Sequence, residues 1–171
     1  MGRLDTRIVL VTGGATPLGA GLSRLLVAQG AHVLVADGCS RVAEGVRLAD
    51  ELAPHARFEL LEPSSERDWL ATLSDGIGRY GGLDVLVLVQ PDAEAVALAL
   101  RTGGPHLARR GGTVVGVARR DEARALGLAG IPVVEVTAAE PTPSHVADLA
   151  GAALRYVQHG LRASRPATHQ S

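Results

Sequence analysis

The sequence predicts an α/β fold: a doubly wound parallel sheet of about six strands in the order 3-2-1-4-5-6. Three observations predict it. Short apolar runs alternate with helical stretches along the whole chain. Several of these runs are continuously apolar, as in Ile8-Val-Leu-Val11 and Leu83–Val89, which is the pattern of parallel strands buried on both faces. The first run also passes through a glycine-rich turn, Thr12-Gly-Gly-Ala-Thr-Pro-Leu-Gly19, straight into a helical pattern. Alternating βα units of this length wind right-handed and place a ligand crevice over the C-terminal ends of strands 1 and 4.

Strands are expected over residues 7–12, 32–37, 57–61, 83–89, 112–118 and 132–137. Helices are expected between them. The first spans 17–29 and stops at Gly30, a favourable residue just past a helix end. The second spans 39–52, capped by Ser40 or by the Asp37-Gly38 turn. The third, over 66–80, follows Ser65, with Ser65 and Asp68 spaced as a capping box, and ends at Gly81-Gly82. A helix over 92–110 contains Thr102-Gly-Gly-Pro105, so a break or kink is expected there. A short helix is expected over 121–128 and a longer one over 143–159, capped by Thr142 or Ser144. Residues 1–160 then form one domain, and the polar stretch 161–171 forms a flexible tail.

Bulk composition narrows the functions. The 171 residues are long enough to bury a core, and 46% of them are hydrophobic but only 2% aromatic, so the core is made of Ala, Val and Leu. A net charge of −1 offers no electrostatic reason to bind nucleic acid or an acidic membrane. No apolar run approaches the length of a membrane span. The opening residues lead directly into the first strand without a signal-peptide pattern, so a cytoplasmic location is expected. All 17 basic residues are Arg and none is Lys; the chain therefore contains no lysine for catalysis, Schiff-base formation or phosphate binding. The lone Cys39 excludes an internal disulfide and a cysteine-based metal site, and the six histidines, His106 and His145 among them, show no metal-ligand spacing.

A strand, a glycine turn and a helix N-terminus in succession make a dinucleotide phosphate site. The glycines let backbone approach pyrophosphate, and the helix start offers unpaired N–H groups and a positive dipole. The reading that competes with this is a plain strand–helix turn that binds nothing.

The first 90 residues resemble the short-chain dehydrogenase/reductases, a family with a Rossmann fold. The resemblance rests on Ile8-Val-Leu-Val-Thr-Gly-Gly14, Leu18-Gly19, Asp37, Trp69 and Gly82-Leu-Asp-Val-Leu-Val87. Later similarity is patchier: residues 105–115 look like the approach to the family's fifth strand, and 131–136 look like its sixth. A substantial part of the family's usual fold has no counterpart, so the resemblance is to an abbreviated member. It implies a cofactor site formed by Thr12, Gly13, Thr16, Leu18, Gly19, Asp37 and Glu62. Asp37 stands where an acidic residue bonds the adenosine ribose, which implies NAD over NADP because a carboxylate repels a 2′-phosphate. Glu62 stands where an acid near the adenine is usual. Pro17 replaces the family's middle glycine and brings a ring where pyrophosphate approaches, although proline suits the first position of a helix.

The family's catalytic groups have no counterparts. Leu88-Val-Gln-Pro91 stands in place of Asn-Asn-Ala-Gly, and Arg119 stands where the serine belongs. No Tyr lies between Tyr80 and Tyr156, and no Lys is present for the Tyr-x-x-x-Lys pair. The family chemistry needs a phenol as acid and base. The resemblance therefore implies a non-catalytic or accessory protein, self-associating or pairing with a complete subunit of this type. Two alternatives stay open. One is an oxidoreductase with a rearranged or partner-completed site. The other is a non-redox isomerase or cyclase that reuses the crevice with Arg119, Glu140 or Gln90.

Overall fold

The computed structural model describes residues 4–120, 123–124, 127, 131, 133–136, 152, 155 and 159. Its six strands are β1 (Ile8–Thr12), β2 (His32–Asp37), β3 (Ala56–Leu60), β4 (Val85–Val89), β5 (Thr113–Arg119) and β6 (Val133–Val136). They form one sheet in the order β3-β2-β1-β4-β5-β6, and every pairing is parallel. This is the predicted sheet.

The sequence explains why β1 and β4 lie at its centre. All five residues of each are buried, and their side chains alternate between two cores as a strand's period of two requires. Val9, Val11, Val33, Val35, Val85 and Val87 face one core, which they share with Leu22 and Leu26. Leu10, Leu34, Leu86 and Leu88 face the other, with Trp69, Leu73, Ile77 and Leu107. Leu22 and Leu26 belong to helix α1 (Pro17–Ala28). The helices α2 (Val42–Leu52), α3 (Glu66–Ala71) and α4 (Ala93–Arg110) supply the rest.

Helix α1 ends as expected: Gly30 takes a left-handed φ of 93°, and its N–H bonds the Val27 carbonyl at 2.9 Å. Four local expectations are corrected. First, α4 runs without a break from Ala93 to Arg110 with Pro105 inside it. Val96, Leu98, Ala99 and Leu107 bury on the sheet side and hold both halves of the helix there. Pro105 lies on the exposed side, where its missing N–H disturbs no packing. Second, the helix expected over 66–80 passes into a π turn at Thr72–Gly76. Third, the capping box is half made. The Ser65 hydroxyl accepts the Asp68 N–H at 3.2 Å, but the Asp68 carboxylate accepts from the Glu62 N–H at 3.0 Å instead of returning to Ser65. The second helix also begins later than expected, because Cys39–Arg41 form a 3-10 turn with no side-chain cap from Ser40. The helices expected over 121–128 and 143–159, and the tail over 161–171, fall largely or wholly outside the described residues.

Candidate functional site

The winding of the sheet reverses between β1 and β4, so the crevice opens over the C-terminal ends of those two strands. The β1–α1 turn forms one wall. Thr12 is buried at the end of β1, and its hydroxyl donates to the Val87 carbonyl of β4 at 3.4 Å. Gly13 has a φ of 63°, and a Cβ there would sit 2.9 Å from the Val89 carbonyl oxygen. Glycine alone suits both the conformation and the space. At Gly19 a Cβ would drive into the Gly13 carbonyl, so α1 packs directly against its own turn.

Thr16 organises the first turn of α1. Its hydroxyl donates to the Gly13 carbonyl at 2.6 Å and accepts the Gly19 N–H at 3.1 Å, a side-chain N-cap. Pro17 follows at the first helical position. The remaining amides are largely committed. Gly14 N–H bonds the Ala36 carbonyl, Thr16 N–H the Gly13 carbonyl and Ala20 N–H the Thr16 carbonyl. Leu18 N–H has no partner among the described residues. It is the donor this helix start presents.

Asp37 ends β2 beside this turn. One carboxylate oxygen accepts the Ala15 N–H at 3.0 Å, and the other accepts the Gly38 N–H at 2.9 Å. Glu62, just past β3, accepts the Cys39 N–H at 2.7 Å. A Cβ on Gly38 would lie 2.8 Å from both Glu62 carboxylate oxygens, so the two acids flank the Gly38–Cys39 backbone. The Cys39 N–H, with the thiol beside it, holds the Glu62 carboxyl below its ordinary range. The same carboxylate pushes the exposed Cys39 thiol up.

All seven predicted site residues thus lie on one rim: Thr12, Gly13, Thr16, Leu18 and Gly19 on the turn, Asp37 and Glu62 on the neighbouring strand ends. Sequence reasoning did not foresee that the two acids also anchor backbone. Asp37 ties the glycine turn to β2, and Glu62 supplies the cap that Ser40 does not. Across the crevice Gln90 follows β4 with a left-handed φ of 48°, its N–H held by the Val117 carbonyl at 2.6 Å. Arg119 ends β5, exposed. Tyr80 is elsewhere: it precedes β4 and stacks on His32, the first residue of β2, with ring centroids 5.5 Å apart. That is the N-terminal end of the strands, opposite the crevice. Glu140 and Tyr156 lie outside the described residues. Among the described residues no group of three or more His, Cys, Asp or Glu could hold a metal ion, and no helix is long and apolar enough to cross a membrane.

A second buried polar centre escaped sequence reasoning. Asp84, immediately before β4, accepts the Ile8 N–H at 2.9 Å and is bridged by Arg7 at 3.3 Å and Arg110 at 3.1 Å. No local spacing signals it, since Arg7 and Asp84 stand 77 positions apart.

No protein-family model matches the chain. The 3-alpha-(or 20-beta)-hydroxysteroid dehydrogenase of Mycobacterium bovis is 40% identical over 86 residues, covering 50% of this chain and 32% of that protein. The 3-beta-hydroxysteroid dehydrogenase of Comamonas testosteroni is 39% identical over 85 residues, covering 50% of this chain and 33% of that protein. The chain therefore spans about a third of the length of these curated relatives. The solved structure of a metagenomic short-chain oxidoreductase in complex with NADP superposes with a TM-score of 0.74, covering 91% of this chain and 92% of that one at 18% identity. At that identity the likeness speaks for the fold. Over half its length the chain is similar in sequence to hydroxysteroid dehydrogenases, and over 91% of it the chain shares the fold of a short-chain oxidoreductase.

Proposed function

We propose that this chain binds NAD on the rim formed by the β1–α1 turn and Asp37, and that it acts as a non-catalytic or accessory partner of a complete dehydrogenase of the same fold. The observation that carries the binding half is the position of Asp37. Its carboxylate is held at the end of β2 by two backbone N–H groups, beside a helix start with an unpaired donor.

The residues present fit a dinucleotide. Gly13 and Gly19 keep the turn free of Cβ atoms, and Thr16 fixes the first turn of α1 so that the Leu18 N–H meets the pyrophosphate. Asp37 retains lone pairs for the ribose hydroxyls after accepting its two backbone bonds. Asp37 and Glu62 together make an acidic edge that disfavours a 2′-phosphate, hence NAD over NADP. When bound, the nicotinamide supplies hydride chemistry. This chain's own contribution is to hold and orient.

The accessory half is supported by what the crevice lacks. The sequence contains no Lys, and Tyr80 stands at the far end of the strands on His32. Proton transfer by a phenol and lysine pair is then the part of a complete homologue paired with this chain. A second reading is favoured by Gln90 and Arg119, at the C-terminal ends of β4 and β5 beside the crevice. They are polar groups on which a rearranged or partner-completed oxidoreductase site would be built.

Calorimetry with NADH, NADPH and ADP-ribose tests the binding. NADH should bind more tightly than NADPH, and Asp37→Asn should weaken NADH by roughly tenfold or more, the worth of a hydrogen bond to a charged acceptor, while narrowing the preference over NADPH. No binding of NADH at millimolar concentration would overturn the cofactor reading. Dehydrogenase turnover by the purified chain alone, on a panel of alcohols and ketones, would overturn the accessory one. Light scattering of the chain alone and after co-expression with a complete homologue tests the assembly.

A further inference from the structure

A pocket of about 270 Å³ lies between the π-turn segment and the last turns of α4. It is at the opposite end of the strands from the cofactor crevice, since its Gly81-Gly82 loop enters β4 and α4 leaves toward β5. Leu73 and Ile77 form its apolar floor. Gly78 and Gly81 form one wall, His106 and Arg109 the other. The glycines make the cavity: a Cβ at either Gly78 or Gly81 would meet nothing within 4 Å.

The charge around this pocket is one-sided. Arg110 also lines it and is drawn to Asp84. That buried carboxylate is shared with Arg7, so two guanidinium groups stand over one acid. Arg109 has no carboxylate in salt-bridge range among the described residues, and no acidic side chain lines the cavity. The end of α4 does not absorb these cations through its own carbonyls alone. The Ala108 and Leu107 carbonyls are bonded by the Gly111 and Gly112 N–H groups at 3.4 and 2.8 Å. The Gly82 N–H has no partner among the described residues.

The geometry points to a second ligand site here, separate from the cofactor rim, that takes a small organic anion: a carboxylate or phosphate head on a short apolar body. Arg109 and His106 meet the head with charge and a donor. Leu73 and Ile77 meet the body. The volume is at the small end of ligand cavities, which sets the size of the guest.

Phenyl phosphate, benzoate and inorganic phosphate are the probes, titrated into the full chain and followed by backbone amide shifts in NMR spectra. Phenyl phosphate should give saturable shifts at Gly81, Gly82 and His106, with inorganic phosphate weaker because it leaves the apolar floor uncovered. Gly78→Leu fills the cavity from a position with open space, and Arg109→Glu reverses the charge. Each should weaken phenyl phosphate by roughly tenfold or more, while NADH titrations of the crevice stay unchanged. If one variant fails to fold, the other still reads the site. Shifts confined to the Gly13–Gly19 turn, no saturable shift at all, or binding unchanged in a folded variant would overturn the assignment.

Discussion

Asp84 offers the sharpest test of how this sheet is held together. Its side chain is 1% exposed, yet it carries a carboxylate. Four hydrogen bonds reach that group: from Ile8 N–H at 2.9 Å, Arg7 Nη1 at 3.3 Å, and Arg110 Nε and Nη2 at 3.1 and 3.3 Å. Its backbone does further work, since the Asp84 N–H bonds the Ile8 carbonyl and the Asp84 carbonyl accepts the Thr113 N–H, both at 3.0 Å. One residue thus gathers the starts of β1, β4 and β5 and the end of α4. In Asp84→Ala the Ile8 N–H loses its partner in a buried setting, which costs about 1–3 kcal/mol. The two guanidinium groups, 31% and 36% exposed, turn to water, so each lost ion pair costs only about 0.5–1 kcal/mol. The expected loss is about 2–5 kcal/mol, a large share of a typical domain's stability. Asp84→Asn keeps an acceptor for Ile8 and should lose only about 1–2 kcal/mol. Urea unfolding followed by the fluorescence of Trp69 measures both, because that residue is the single tryptophan and is fully buried. Arg24→Ala, which opens the exposed bidentate Arg24–Glu51 pair, is the control and should leave the midpoint unmoved. An Asp84→Ala midpoint equal to that of the unmodified chain would refute this reasoning. An Asp84→Asn loss as large as that of Asp84→Ala would shift the weight from the Ile8 bond to the charge.

Three further outcomes follow from the same geometry. Gly19→Ala should cost more than an ordinary helical Gly→Ala exchange, which is usually favourable by about 1 kcal/mol, because the new Cβ meets the Gly13 carbonyl; an unchanged or raised melting temperature would contradict the packing described. Glu59 is held above the ordinary carboxyl range by burial, against the pull of Arg57 and Arg79, and one of its oxygens has no hydrogen-bond partner among the described residues. A raised folded-state pKa means the stability is fully present below the unfolded value and is lost as pH rises through the folded one, so Glu59→Gln should stabilise the fold at pH 7 and lose that advantage below the ordinary carboxyl value of about 4.5; urea midpoints at both pH values decide it. Pro17→Gly restores an N–H and removes the ring at the turn, and should tighten NADH roughly tenfold in calorimetry; unchanged affinity would place any weakness of the site elsewhere than Pro17.

What was legible in the sequence was whatever both faces of the sheet bury. The runs at 8–12 and 85–89 are apolar at every position or nearly so, and their strand identity follows from that alone. What stayed hidden depends on partners distant in sequence. Nothing near Pro105 announces that Leu98 and Leu107 bury on one face and keep α4 whole. Nothing near Ser40 announces that its capping duty is done by Glu62, 23 positions from Cys39. The candidate site shows both sides of this. Gly13, Gly19 and Thr16 were readable because a tight strand-to-helix turn needs those residue types at that spacing. The bond of Asp37 to the Ala15 N–H was not, because it arises only when β2 lies parallel to β1.

That bond bears on what Asp37 can mean. In the proposed NAD site, the carboxylate that would meet ribose is also the acceptor for Ala15 N–H, within the turn that would meet pyrophosphate. The two halves of the proposed rim are therefore one unit, set by a single side chain. Such a site would be preorganised, since the acid would need no ordering when ribose binds. It also gives Asp37 a reason to be present in a chain that binds nothing, because removing it would free the turn from β2. The residue's presence and its function are thus separable only at the level of charge. Asparagine keeps an acceptor for the backbone and gives up the negative charge. A turn that stays folded in Asp37→Asn while NADH affinity falls assigns the carboxylate to the ribose. A turn that stays folded with NADH affinity intact assigns it to the scaffold.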